Sequence, residues 1–310
     1  MGVGKTRRSC NSRARHFGNS EAKALTEVIV VATILGYGLN MIVIFGASTD
    51  IGRLLAEKLQ VAGIPIRCIS RGGGTGADLS SGTGVREAMQ DACVVVSCAH
   101  ARYTASIIEH LPPHPTRLVL MGSAWRYSAV PNVRADEVRA AEADFMACHC
   151  SGVMLHATMI YGGRQENNIQ RLLKIIRRFP LLPVPGGGRQ IVQPIYVHDV
   201  VDCLFAAAKT EWVGRHVVGL AGKPLSWRAM AQLCAKAIGR SCVIIPVPKA
   251  ALLLLNTVRI TRIDSGMIGR FGENVNVPLS PMVEMFAVQP REFEAGIRLA
   301  IENWRRQGVI

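Results

Sequence analysis

Gly46-Ala-Ser-Thr-Asp-Ile-Gly52 has the residue types and spacing of a phosphate-binding turn. A dinucleotide pyrophosphate needs a sharp chain reversal, close backbone approach and helix N–H groups aimed at its oxygens. Gly46 supplies the reversal, and Gly52 lets a following helix pack on the preceding strand. Ser48, Thr49, Asp50, Ile51 and Arg53 complete this set of candidate contacts. Arg71 ends the next apolar run, where an acidic residue would accept the ribose hydroxyls of NAD. A guanidinium there suits a 2′-phosphate, so NADP is preferred, with NAD the alternative. Two other motifs fail on spacing. Gly2-Val-Gly-Lys-Thr6 lacks the glycine that a P-loop places five residues before Gly-Lys. Cys148-His149-Cys150 lacks the second ligand pair of a zinc site, with only His156 near, so no metal is expected.

The elements that must hold these residues alternate. Strands are expected at Met41–Phe45, Pro65–Ser70, Cys93–Cys98, Arg117–Met121 and Val153–Thr158. Helices are expected at Ile51–Val61, Val85–Asp91, Ala101–Leu111, Ala135–Cys148 and Asn168–Arg178. Apolar strands separated by helices imply an α/β fold, a Rossmann-like doubly wound parallel sheet. After Pro180 the rhythm loosens: a strand over Ile191–Val197, a helix Val200–Lys209 capped by Asp199, and short strands Val217–Leu220 and Val243–Val247 around a helix Trp227–Ile238. A helix over Arg291–Arg305 follows. The expected organisation is a dinucleotide-binding domain over 41–180 and a smaller C-terminal substrate lid over 181–310, interleaved with it. Residues 1–40 are expected to be an extension outside the fold, because Met41 already opens the first strand.

Composition narrows the function classes. Of 310 residues, 49% are apolar and 19% charged, which excludes wholesale disorder. Residues 1–40 hold six of the 36 Lys/Arg and two of the 22 Asp/Glu, so the other 270 residues keep +10 of the net +14. That excess favours anionic ligands. It is spread without a dense basic run, and aromatic residues are 5%, so no nucleic-acid partner is expected. Nine irregularly spaced cysteines imply thiols in a reducing, cytoplasmic setting. Val28–Ala47 is long enough to span a membrane, but its second part is read as the first strand.

The glycine turn, in this context, resembles the extended or atypical short-chain dehydrogenase/reductases, the NAD-dependent epimerase/dehydratase family. Thr49 stands where the family's G-A-T-G-x-x-G has its middle glycine. Ala77-Asp78-Leu79 is similar to the family's G-D-L, which borders the adenine, and Cys98-Ala99 to the segment beside the nicotinamide ribose. Met159-Ile-Tyr-Gly162, Pro194–Val200 and Pro290–Arg298 resemble later family motifs, so the likeness spans about Met41–Arg305. The resemblance implies a nicotinamide cofactor and a small-molecule substrate of the nucleotide-sugar kind. It maps Ser123 onto the catalytic serine, Arg134 onto the tyrosine and Val138 onto the lysine.

The Y-x-x-x-K pair is therefore absent. Tyrosine serves as the acid/base in that family, and losing such a group forfeits ~10²–10⁴ in rate. Guanidinium stays protonated, so Arg134 cannot replace it. His100, Tyr103 and Tyr127 lie just beyond strands, where ligands of open α/β sheets sit, and Tyr127 is the expected proton carrier beside Ser123. Three functions compete: an NAD(P)-dependent enzyme, a non-catalytic NAD(P)H-binding sensor or assembly subunit, and a membrane-surface protein using Ala250–Ile260. A homodimer is the oligomer left open.

Overall fold

Apolar residues dominate five short runs: β1 (Ile42–Phe45), β2 (Ile66–Ile69), β3 (Val94–Ser97), β4 (Arg117–Ser123) and β5 (Gly152–Ala157). Strands β1, β3 and β5 are buried on both faces, as parallel strands covered by helices must be, while the edge strand β2 leaves Cys68 exposed. The chain divides into two units, 1–40 and 41–310. The computed structural model describes residues 41–70, 76–248, 273–274 and 276–309. The extension 1–40, Arg71 and Ala250–Ile260 lie outside the described residues.

The central sheet has six parallel strands: β10 (Arg215–Leu220) at one edge, then β5, β4, β3, β1 and β2. Ile42 pairs with Ile66 on one side and Val94 on the other, so strand order reverses between β1 and β3. Such a switch point opens a crevice at the carboxyl ends of the two strands. Alternate residues face opposite layers. Ile44, Val96, Val119 and Leu155 pack on one side and Phe45, Val95, Leu120 and Met154 on the other.

The sixth strand, expected at Val217–Leu220, begins two residues earlier and joins the main sheet. β10 (Arg215–Leu220) pairs along the whole of β5, so the C-terminal half completes the main sheet as well as adding to it. Its remaining strands form pairs. β7 (Leu181–Pro185) runs parallel to β12 (Val243–Val247), β8 (Ile191–Val192) antiparallel to β11 (Leu225–Ser226), and β6 (Ile160–Tyr161) parallel to β9 (Ile195–Tyr196). The single strand expected at 191–197 is split at Pro194, which has no N–H to donate. These pairs surround a second core of Tyr161, Leu173, Val184, Met230 and Trp304.

Two helices position the site. Helix α1 (Asp50–Val61) buries Gly52, Leu55, Ala56 and Leu59, the spacing of one helical face. Helix α4 (Val133–Ala147) follows the shorter helices α2 (Val85–Met89) and α3 (Thr104–Glu109). Asn132 caps α4, its Oδ1 accepting from Arg134 N at 2.9 Å. Beyond it come α5 (Asn168–Arg178) and α6 (Val197–Lys209). Helix α6 begins three residues earlier than expected, so Asp199 lies within its first turn rather than capping it. The buried Asp199 carboxylate accepts instead from the backbone N–H of Arg291, at 2.9 Å, and from its guanidinium. That joins two of the motifs read separately from the sequence.

Candidate functional site

Gly46 sits at φ 72°, and a Cβ there would lie 2.7 Å from Ala99 N. A Cβ on Gly52 would collide with the Gly46 carbonyl. Glycine is thus required at both places, and the turn comes within contact of the chain leaving β3. Thr49 closes the turn from within. Its hydroxyl donates to Gly46 O at 2.8 Å and accepts from Gly52 N at 3.0 Å, capping α1. The Thr49 side chain therefore braces the turn, while Ser48 remains facing the crevice.

Two cavities occupy the crevice and meet at Ala99 and His100. The first, about 190 Å³, runs from Gly46, Ser48 and Thr49 to Asp78 and Leu79. The second, about 500 Å³, lies under Ile51, Cys98, Ser123, Arg134 and Val138. Helix α4 explains the second set. Arg134, Val138 and Glu142 recur every four residues on one face, so the first two reach the cavity and the third lies one turn deeper.

Beneath Ser123 is a buried polar chain. His156, on β5, is fully buried. Its Nδ1 accepts from Ser123 N at 3.1 Å, and its Nε2 meets Glu142 Oε2 at 2.8 Å. Those two bonds fix the tautomer with the proton on Nε2. Glu142 in turn receives Arg126 through two bonds of 2.8 and 2.9 Å. Burial pushes the His156 pKa below its ordinary value against the pull of Glu142, so the ring is neutral at pH 7. The Arg126 and His156 contacts outweigh burial at Glu142 and hold its carboxyl below the usual range. The imidazole accepts from the Ser123 backbone, so it orients the end of β4 and does not activate the hydroxyl. Gly122 makes room, since any Cβ there would overlap the His156 ring.

Several expected site residues fall elsewhere. Asp50 accepts from Gln165 N at 2.7 Å, tying the loop after β6 to the start of α1. Arg53 pairs along the helix with Glu57 at 2.6 Å. Tyr127 does not line either cavity. Its ring makes an edge contact with His156, 6.1 Å between centroids, and a Cβ on Gly219 of β10 would lie 3.2 Å from its hydroxyl. Burial raises its pKa, which disfavours the phenolate. Cys98 lines the second cavity, but burial pushes its thiol up to about 12, so it remains protonated. Among the described residues no cluster of three His, Cys, Asp or Glu is placed to hold a metal.

The Arg126–Glu142–His156 chain escaped sequence reasoning. His156 sits in an apolar strand, and nothing in the spacing identifies its partners 14 residues earlier in a helix and 30 residues earlier in a turn. A lone histidine inside a strand that must be fully buried was the available signal.

No protein-family model and no curated protein sequence matches the chain. Solved structures do. MoeE5 in complex with UDP-glucose and NAD is 19% identical, with a TM-score of 0.66, over 87% of this chain and 100% of that one. UDP-glucuronic acid 4-epimerase from Bacillus cereus, in complex with UDP-glucuronic acid and NAD, is 16% identical. Its TM-score is 0.67, over 86% of this chain and 99% of that one. At these identities the likeness is one of fold: the doubly wound α/β sheet of this chain is shared with both structures. RMD from Pseudomonas aeruginosa, complexed with NADPH, shares it at 13% identity and a TM-score of 0.65, over 87% and 98% of the two chains.

Proposed function

We propose that the protein binds a nicotinamide dinucleotide in the first cavity and a nucleotide sugar, or a related carbonyl or hydroxyl compound, in the second. It is read as an epimerase/dehydratase-like or reductase-like protein. The observation that carries this reading is the continuous crevice at the switch point, floored by the Gly46 turn and reaching Ser123. The residues present fit the cofactor: Gly46 brings bare backbone to the cavity, Gly52 keeps α1 packed against that turn, and the N-terminal dipole of α1 favours an anion beside its Thr49 cap. When bound, the nicotinamide supplies hydride exchange with a substrate carbon.

Ser123 then orients the substrate oxygen. Arg134, at the family's tyrosine position, holds negative charge and cannot move a proton. His100 lines both cavities, with Nε2 3.7 Å from Glu137 Oε2, and is the group assigned to proton transfer in place of the more remote Tyr127. Arg71 selects NADP through the 2′-phosphate. An Arg71→Ala variant is expected to lose NADPH affinity roughly tenfold, with NADH nearly unchanged.

A second reading, a non-catalytic binding subunit, is favoured by Val138 and Arg134 standing where the family has lysine and tyrosine. One experiment separates the two. Calorimetry with NADPH and NADH tests binding, and absorbance of the reduced cofactor is followed against a panel of nucleotide sugars. Turnover that His100→Gln abolishes supports the enzyme. Binding without any turnover supports the subunit, and binding of neither cofactor removes both readings.

A further inference from the structure

The β7–β12 ribbon has two unlike faces. Leu182, Val184 and Ile244 point into the second core. Leu181 pairs with Val243 and Pro183 with Ile245, on the opposite face. Leu181 is 52% exposed, Val243 57% and Ile245 40%. Phe179, in the approach to β7, is 53% exposed, and the Arg178 guanidinium stacks 5.9 Å from its ring. Large apolar side chains this open are ordinary when scattered; here they line one ribbon.

The two chain segments that carry the ribbon are basic. Residues 167–198 contain five Lys/Arg and no Asp/Glu, and residues 212–248 likewise contain five and none. Arg171 and Lys174 share Glu166, at 3.0 and 2.5 Å, and Lys236 pairs with Glu294 at 3.0 Å. Arg177, Arg178 and Arg240 are exposed beside the ribbon. Among the described residues no carboxylate pairs with them.

We propose that this face docks on an anionic lipid surface, with Phe179, Leu181, Val243 and Ile245 entering the interface and Arg177, Arg178 and Arg240 meeting lipid phosphates. Charge complementarity selects that occupant. A second copy would bring the same arginines against one another, and the apolar segment following Pro248 carries Lys249, Arg259 and Arg262 before its first acid. An interfacial protein needs apolar insertion and cations, without the shaped polar pocket a folded partner requires. The docking is independent of the nucleotide reading above.

The test is sedimentation of the full chain with vesicles of phosphatidylcholine alone and of phosphatidylcholine with phosphatidylglycerol. Binding is expected only to the second, falling as salt is raised. Arg177→Gln with Arg178→Gln should weaken it roughly twenty-five-fold, about fivefold for each cation near the surface. Phe179→Ser with Leu181→Ser should weaken it at every phosphatidylglycerol content. Thermal unfolding of each variant, expected unchanged, confirms that the fold is intact. Equal binding by wild type and both variants would assign the membrane contact to residues 1–40 or to the segment after Pro248, and overturn the proposal. So would no binding by the wild type, or variants that only convert a dimer to a monomer.

Discussion

The two ends of the crevice differ in what builds them. At the Gly46 end the contact surface is backbone: two glycines, a bracing threonine hydroxyl and the start of a helix. At the Ser123 end it is side chain: Ser123, His100, Arg134 and Val138. The backbone end accommodates the Thr49 side chain, because its hydroxyl finds partners inside the turn. Side-chain chemistry has no such latitude. Helix α4 keeps its Asn132 cap and its buried face while presenting a guanidinium and an isopropyl group to the cavity, and those two groups decide what that end can do.

The comparison can be broken most forcefully at Gly52. Gly52→Val should cost about 3 kcal/mol or more, or prevent folding, since the new Cβ meets backbone that cannot yield. Chemical denaturation measures it; a stable variant that loses only dinucleotide binding would show the turn to be less tightly packed than it is drawn.

His156→Ala comes next. It opens a cavity, leaves Ser123 N without its acceptor and leaves Glu142 with Arg126 alone, for an expected loss of about 2–3 kcal/mol. Calorimetry should show dinucleotide affinity largely preserved, because the Gly46 turn lies at the other end. The same residue sets a pH dependence. Its folded pKa is below the unfolded value of ~6.5, so the unfolded state binds the proton first as pH falls. Stability is full above that value and declines below it. Glu142, also held low, adds a loss of the same sign below ~4.3. His198, lowered by burial and Arg291, shares the His156 window, so the informative quantity is a difference. Between pH 7 and 5 the wild-type melting temperature should fall further than that of His156→Gln.

Arg134→Gln sharpens the contrast at the reactive end. A charge-assisted bond to phosphate or carboxylate is worth roughly 1.5–3 kcal/mol, so a nucleotide-sugar ligand should weaken about tenfold or more with the melting temperature little changed. An unchanged titration would remove Arg134 from the ligand. The smallest effect is expected for Tyr127→Phe, within about 0.5 kcal/mol in stability and without change in cofactor affinity. A large fall in turnover for that variant would return the proton-transfer role to Tyr127.

What the residues reveal locally in this chain is considerable. Apolar runs mark all six central strands, Val217–Leu220 included though without its place in the main sheet; glycine at 46 and 52 marks the turn, and the missing lysine four residues beyond any tyrosine is plain from the order of residues. These are properties of adjacent or regularly spaced positions. Partnership is not. The strand pattern tells that His156 and Val218 lie in apolar strands, and says nothing of what they are buried against. Only the tertiary structure joins His156 to Glu142 and Arg126, Asp199 to Arg291, and Arg215–Leu220 to the edge of β5. It likewise turns Tyr127 toward Gly219 and away from the crevice, although four residues from Ser123 suggested the opposite. The short 3₁₀ turn at Ala124–Tyr127 directs that side chain after β4 has ended. Residues close in sequence separate once a turn redirects them, and residues far apart meet because strand pairing and charge burial are satisfied only by the whole fold.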